Sequence, residues 1–329
     1  MKNLLYNPVA TMTSHLYPSV QKFVLYCFSA FFPLLGMAQE NSPEVEIPTP
    51  RFVRLDTKDG VNLRCVYYEA PLSEEVGKTA IPVMLLHGWE GHAGDFDGLA
   101  SAMQKGGYAV LVPDLRGHGR SVKQVDRSGN ERDITPDKMR ATDFRAMVLD
   151  VHAAKKFLIK EHNAGKLNIE LLTVVGAEMG AIIALNWAAH DLNVKDLPAF
   201  KRGKDIKGLV LLSPPQSFNG LSPGAAIRQP TVAKELSVMV LVGREDRKPY
   251  EAARRIHRQF KAKRPKLPND PDERYVKQDL FWDAIDTSLQ GTELLNPQLP
   301  VNNLIAQFMR QRIVERREDL PKWEIRRYE

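Results

Sequence analysis

Ile169-Glu170-Leu171-Leu172-Thr173-Val174-Val175-Gly176-Ala177-Glu178-Met179-Gly180 is the stretch that decides the fold of this chain. Its first part is a short apolar, β-branched run that stops at a glycine, as a buried strand does. Ala181 opens a stretch rich in Ala, Ile and Leu, a composition that favours helix. Between the two, Gly176-Ala177-Glu178-Met179-Gly180 must turn the chain from strand to helix in one tight bend. The middle side chain of that bend is the carboxylate of Glu178.

Outward from this point the pattern repeats. Phe52–Leu55 and Val61–Tyr68 read as strands joined by the hairpin signal Asp59-Gly60. Ile81–Leu86, Tyr108–Val112, Ile206–Leu212 and Leu236–Val242 are short buried strands, and Tyr275–Ile285 is the expected last one. Helical spacing fills the gaps: Asp95–Lys105, the long region Pro136–His162 in two pieces, the run to His190, Pro249–Lys263 and Val301–Arg317. Arg120–Asp133 is polar and reads as a surface loop. Buried strands separated by amphipathic helices imply an α/β fold, a mostly parallel sheet with helices on both faces. The segment Ser213–Glu235 between two of these strands is rich in Pro, Gly and Ser.

The amino terminus has a different character. Lys22 precedes the apolar run Phe23–Leu35, and Gly36-Met37-Ala38 is a small-x-small cleavage site before Gln39. About thirteen apolar residues suit an export signal, where a membrane span needs about twenty. The expected organisation is a signal peptide over 1–38, a proline-containing linker over 39–51, one domain over 52–317 and a polar tail over 318–329. Met12 is an alternative start, and an uncleaved anchor is an alternative to a cleaved signal. The expected location is the periplasm, the cell envelope or the extracellular space, with no membrane span after cleavage.

The 329-residue chain is 43% hydrophobic and 26% charged, enough to bury a substantial core. Its formal charge is +6, and Lys2 and Lys22 of the leader account for two of these charges, leaving +4. No basic stripe interleaved with aromatics is present, so nucleic acid is excluded as the expected partner. Of the two cysteines only Cys65 lies beyond the leader, in an alternating strand, where a small buried residue is expected. No Cys/His spacing points to a metal, and no cofactor is expected.

Three segments then combine. Ile81–Leu86 runs into His87-Gly88-Trp89. Tyr108–Val112 runs into Asp114-Leu115-Arg116-Gly117-His118-Gly119-Arg120-Ser121. The third is the Glu178 turn. Together they resemble the α/β-hydrolase superfamily, above all its serine aminopeptidase, lysophospholipase and dienelactone hydrolase-like branches, over roughly 52–317. The resemblance implies that Glu178 occupies the nucleophile elbow, normally a serine. It makes the backbone amides of Trp89 and Met179 the equivalents of the oxyanion hole. It places the triad acid at Asp246, in Gly243-Arg244-Glu245-Asp246, and the triad histidine at Gln290, in Leu289-Gln290-Gly291-Thr292. It implies that His87 supports the oxyanion loop, that His87, Gly88, His92 and Phe218 belong to the pocket, with His92 at its mouth, and that Ser213–Glu235 forms a short cap insertion.

Two of the three triad positions thus depart from the family pattern. Gln290 is neutral and takes no proton at pH 7. After Asp246 the only histidine is His257, inside the charged helix 249–263. The first reading is an exported hydrolase-fold protein without serine-hydrolase catalysis, binding a ligand or partner in the old pocket. With Glu178 and Asp246 facing one cleft, that ligand is expected to be a small molecule or a basic peptide segment, and one carboxyl to have a raised pKa. The alternative is an active esterase- or peptidase-like hydrolase of altered chemistry that uses Glu178 and Asp246. Ser121 and Ser213 are the other serines weighed as nucleophiles, and neither lies on an elbow.

Overall fold

A computed structural model describes residues 46–71, 77–198 and 201–327. The expected signal peptide and most of the linker lie outside the described residues. The chain forms β1 (Arg51–Asp56), β2 (Asn62–Tyr68), β3 (Pro82–Leu86), α1 (Asp97–Lys105) and β4 (Ala109–Pro113). A small hairpin, β5 (Lys123–Val125) with β6 (Glu131–Asp133), precedes α2 (Ala141–Asn163), β7 (Leu172–Ala177) and α3 (Met179–Asn193). Then come β8 (Ile206–Leu212), α4 (Gly224–Arg228), β9 (Ser237–Gly243), α5 (Arg247–Lys261), α6 (Pro271–Lys277), β10 (Leu280–Ile285) and α7 (Val301–Met309).

Eight strands form one sheet in the order β1-β2-β4-β3-β7-β8-β9-β10. The β1–β2 and β2–β4 pairs are antiparallel, and every other pair is parallel. Along β3, Met84 and Leu86 pack into one hydrophobic cluster, Val83 and Leu85 into another. Both faces are therefore covered, which is why the strands read as continuous apolar runs rather than alternating ones. The described residues contain no helix long and apolar enough to cross a membrane.

Several local expectations change. The 120–133 loop carries the β5–β6 hairpin. Residues 275–285 are not one strand: α6 covers the first part, capped by the Asp270 carboxylate, which accepts from the Glu273 amide. The final helix tightens and widens after Met309 into shorter turns. The cap segment after β8 is short, holding only α4 and one wide turn, Thr231–Glu235. The end of the chain, expected as a solvated tail, docks on the body. Arg326 is buried and pairs with Asp205 (2.6 Å) and Glu170 (2.8 Å). The Trp323 indole N–H donates to the His162 carbonyl at 3.2 Å. Cys65 is a free, buried thiol whose pKa burial pushes up.

Candidate functional site at the Glu178 turn

Parallel strands of a doubly covered sheet end together, and loops at their carboxyl ends build sites. Here the ends of β3, β7, β8 and β9 bring Trp89, Glu178, Ser213 and the start of α5 to one cleft of about 880 Å³.

Glu178 itself sits at φ 47°, ψ −110°, a conformation that costs a residue with a Cβ about 1–3 kcal/mol. Hydrogen bonds hold it there: its amide donates to the Leu212 carbonyl (2.8 Å), and its carbonyl accepts from Ala181 (3.0 Å). The flanking glycines are required by close approach. A Cβ on Gly176 would lie 2.5 Å from the Gly180 carbonyl oxygen, and one on Gly180 would lie 2.3 Å from that of Leu86. The turn is thus fixed by its frame whatever side chain stands at its centre.

That side chain opens to the cleft on one side and packs against two glycines on the other. A Cβ added to Gly88 would meet Oε2 of Glu178 at 2.5 Å, and one added to Gly291 would meet its Cδ at 2.9 Å. The carboxyl therefore lies in a slot between the loop after β3 and the loop after β10. Among the described residues it has no hydrogen-bond partner. Its pKa is raised, first by desolvation in the slot and then by the charge of Glu293. The expected rise is present, but Asp246 is not its cause.

Asp246 caps α5, its carboxylate accepting from the Lys248 amide at 3.1 Å, and it is exposed. It does not line the cleft, so the expected pair of carboxylates is not formed. Arg247 and Lys248, its neighbours, line the cleft instead, together with Glu251. Gln290 is fully engaged. Its Nε2 donates to the Gly243 carbonyl (3.0 Å), and its Oε1 accepts from the Ser213 hydroxyl (2.7 Å). That hydroxyl also accepts from the Gly291 amide (3.0 Å). No contact joins Gln290 to Asp246 or to Glu178 among the described hydrogen bonds.

The amides of Met179 and Trp89 have no partner within the described protein. Met179 is the first residue of α3, so its N–H is one of the unpaired donors of a helix start. Trp89 packs on His118 (4.9 Å between ring centres) and Phe218 (5.4 Å), and both Trp89 and Phe218 line the cleft. His87 is buried and structural. Its Nδ1 donates to the Gly88 carbonyl (2.7 Å) and its Nε2 accepts from the Leu115 amide (2.9 Å). Burial lowers its pKa to about 4, so it stays neutral at pH 7. His92 turns away from the cleft to Asp95, Nδ1 to Oδ1 2.6 Å, which is why it does not reach the pocket mouth. Ser121 is buried, its hydroxyl accepting from the Arg64 amide. No group of three His, Cys, Asp or Glu among the described residues is placed to hold a metal.

A family model described as serine aminopeptidase, S33, matches residues 77–240, which include the His87-Gly88-Trp89, Asp114–Ser121 and Glu178 segments. The chain belongs to the α/β-hydrolase superfamily. Within that superfamily it is similar to a thermostable monoacylglycerol lipase of Bacillus sp. (strain H-257), 26% identical over 129 residues. That match covers 39% of this chain and 43% of the lipase, less than half of either. The fold is shared with the solved structure of an esterase from Rhizomucor miehei: TM-score 0.54, 14% identity, 82% of this chain and 86% of that one. A thermostable carboxyl esterase from Bacillus coagulans superposes at TM-score 0.53 and 14% identity, over 81% of this chain and 99% of the esterase.

Relative to this α/β-hydrolase frame, the residues missed in sequence are Glu293, Arg247 and Lys248, and the roles of Ser213 and Gly291 in holding Gln290 and the Glu178 slot were not foreseen. Arg247 and Lys248 directly follow Asp246, so placing the acid at the cleft implied them. Ser213 is the first residue after β8 and has φ 47°, a strained strand-end position like that of Glu178.

Proposed function

We propose that this α/β-hydrolase-fold protein has lost serine-hydrolase catalysis and binds a ligand in the cleft over Glu178. The observation that carries the reading is the state of Gln290. Both ends of its amide are committed, to Ser213 and to Gly243, and no histidine lines the cleft. An acyl-transfer cycle needs a base that takes a proton from the nucleophile or from water. No histidine supplies that base here, and Asp246 is used as a helix cap. What remains is a preformed cleft with two free amides at its floor, a binding site without a proton relay. A volume of about 880 Å³ is within the range of small-molecule sites.

One observation favours a second reading. The raised pKa of Glu178, in a cleft, is what a general acid requires. On that reading Glu178 works alone, since Asp246 is turned to Lys248. Both readings are tested by incubating the protein with a fluorophosphonate probe and a short-chain aryl ester. We expect neither labelling nor turnover. Turnover that disappears in Glu178→Ala would establish the second reading and overturn the first. Residues 1–38 support export of the protein. N-terminal sequencing of the mature chain should begin near Gln39, and an intact Met1 or Met12 would argue against cleavage.

A further inference from the structure

The charges around the cleft are not those of an acidic site. Arg247 and Lys248, the first two residues of α5, line one wall, and neither side chain has an ion pair or hydrogen bond among the described residues. Two acidic residues on or next to the same wall are already engaged. Glu251 pairs with Arg254 (2.8 Å), and the Asp246 carboxylate accepts from the Lys248 amide. One turn further along α5, Arg255 donates to Oε1 of Gln216, another lining residue, at 3.2 Å. The lining also holds the apolar side chains of Trp89, Pro215 and Phe218, with Trp89 and Phe218 in ring contact at 5.4 Å. Glu178 stands at the floor, where desolvation in its slot raises the pKa of the carboxyl.

We propose that the cleft binds a small amphiphilic anion, its acid group against Arg247 and Lys248 and its apolar body against Trp89 and Phe218. This assignment rests on the binding reading above and names the ligand class for it. A neutral ester would leave both cations unpaired. A cationic amphiphile would bring like charge to them, a repulsion the engaged Glu251 and Asp246 do not offset. A purely inorganic anion would leave the Trp89 and Phe218 rings wet.

The test is titration of the purified protein with decanoate, followed by Trp fluorescence and calorimetry below the micellar range. Decylammonium and glycerol monodecanoate serve as the cationic and neutral comparisons. Decanoate should bind most tightly of the three. The double variant Arg247→Ala/Lys248→Ala should lose roughly tenfold or more in decanoate affinity, the scale of a charge-assisted contact. Both residues are exposed, so the variant keeps its fold, checked by an unchanged melting temperature. Glu178→Gln should bind decanoate at least as well as the parent.

Failure of decanoate to bind, equal binding of decylammonium, or undiminished binding by the double variant overturns the ligand class. A loss confined to Glu178→Gln also overturns it, by placing the acid group at the elbow. Release of decanoate from glycerol monodecanoate overturns the non-catalytic reading instead. In that case the decanoate arm still decides whether an anion is favoured.

Discussion

Gly88→Ala probes whether the Glu178 carboxyl really occupies its slot. The three atoms nearest the added methyl all belong to Glu178: Oε2 at 2.5 Å, Cβ at 3.5 Å and Cδ at 3.6 Å. Only the first is a clash, and it vanishes if the side chain is shortened to Ala. With Glu178 present, the carboxyl must swing out toward the open cleft. Displacing it from its rotamer costs about 0.5–1.5 kcal/mol. Replacing Gly by Ala where the backbone permits it also stabilises by about 0.4–1 kcal/mol through the unfolded chain, in either background. Gly88→Ala should therefore be neutral to mildly destabilising in the parent and stabilising in Glu178→Ala, with a coupling of about 1 kcal/mol between the sites. Urea unfolding of the four proteins of this cycle, compared by midpoint at constant m, measures it. Effects that add to within about 0.3 kcal/mol would refute the slot. Gly291 is a poorer probe, because its φ of +56° strains any replacement whatever stands at 178.

Two further outcomes follow from desolvated charge. The folded-state pKa of Glu178 is raised above its ordinary 4.5, so the folded protein holds a proton that the unfolded chain releases first. Ionisation then opposes folding: as pH rises from the unfolded to the folded pKa, the parent loses stability that Glu178→Gln keeps. The melting temperature of Glu178→Gln relative to the parent should be level below pH 4 and move upward across that window to a plateau. A pH-independent difference would contradict the cause assigned to the shift. Arg326→Ala leaves Asp205 with Lys155 (2.5 Å) and Glu170 with Lys201, so the loss should fall somewhat below that of a wholly orphaned charge, about 2–3 kcal/mol. In a domain of this size that is roughly a 5–10 °C drop in melting temperature. A drop under 2 °C would mean that the chain end is held by something other than its guanidinium.

The sheet was legible because its strands are buried on both faces and bounded by Gly and Pro, so each stands out as a short apolar run. The elbow was legible because its glycines are demanded by contacts under 3 Å, which leave no other residue possible. The 275–285 region misled because Tyr275 and Val276, good strand formers, are exposed on α6 at 48% and 65%. The Asp270-Pro271 start signal there outweighs propensity. Asp246 shows a different limit. Its place in the chain was readable, but the direction of its carboxylate depends on the local competition with the Lys248 amide. The docking of Arg326 on Asp205 and Glu170, 121 and 156 residues away, has no local signature at all.

Gln290 bears most directly on the proposed loss of catalysis. Its amide accepts from Ser213 after β8, donates to Gly243 at the end of β9, and itself follows β10, so it fastens three neighbouring strand ends. A neutral amide does this by donating at one end and accepting at the other. A base must instead keep one nitrogen free for the proton of the nucleophile. The two tasks compete for the same side-chain atoms, and here the fastening task holds them both. The elbow keeps its strained turn around Glu178 because frame contacts impose it, so strain alone says nothing about catalysis. The commitment of Gln290 supports the proposed loss of serine-hydrolase catalysis: the side chain at the histidine position has both ends engaged and no nitrogen that takes a proton at pH 7. The free amides at the elbow and the unpaired cations of Arg247 and Lys248 are groups that a bound ligand can use.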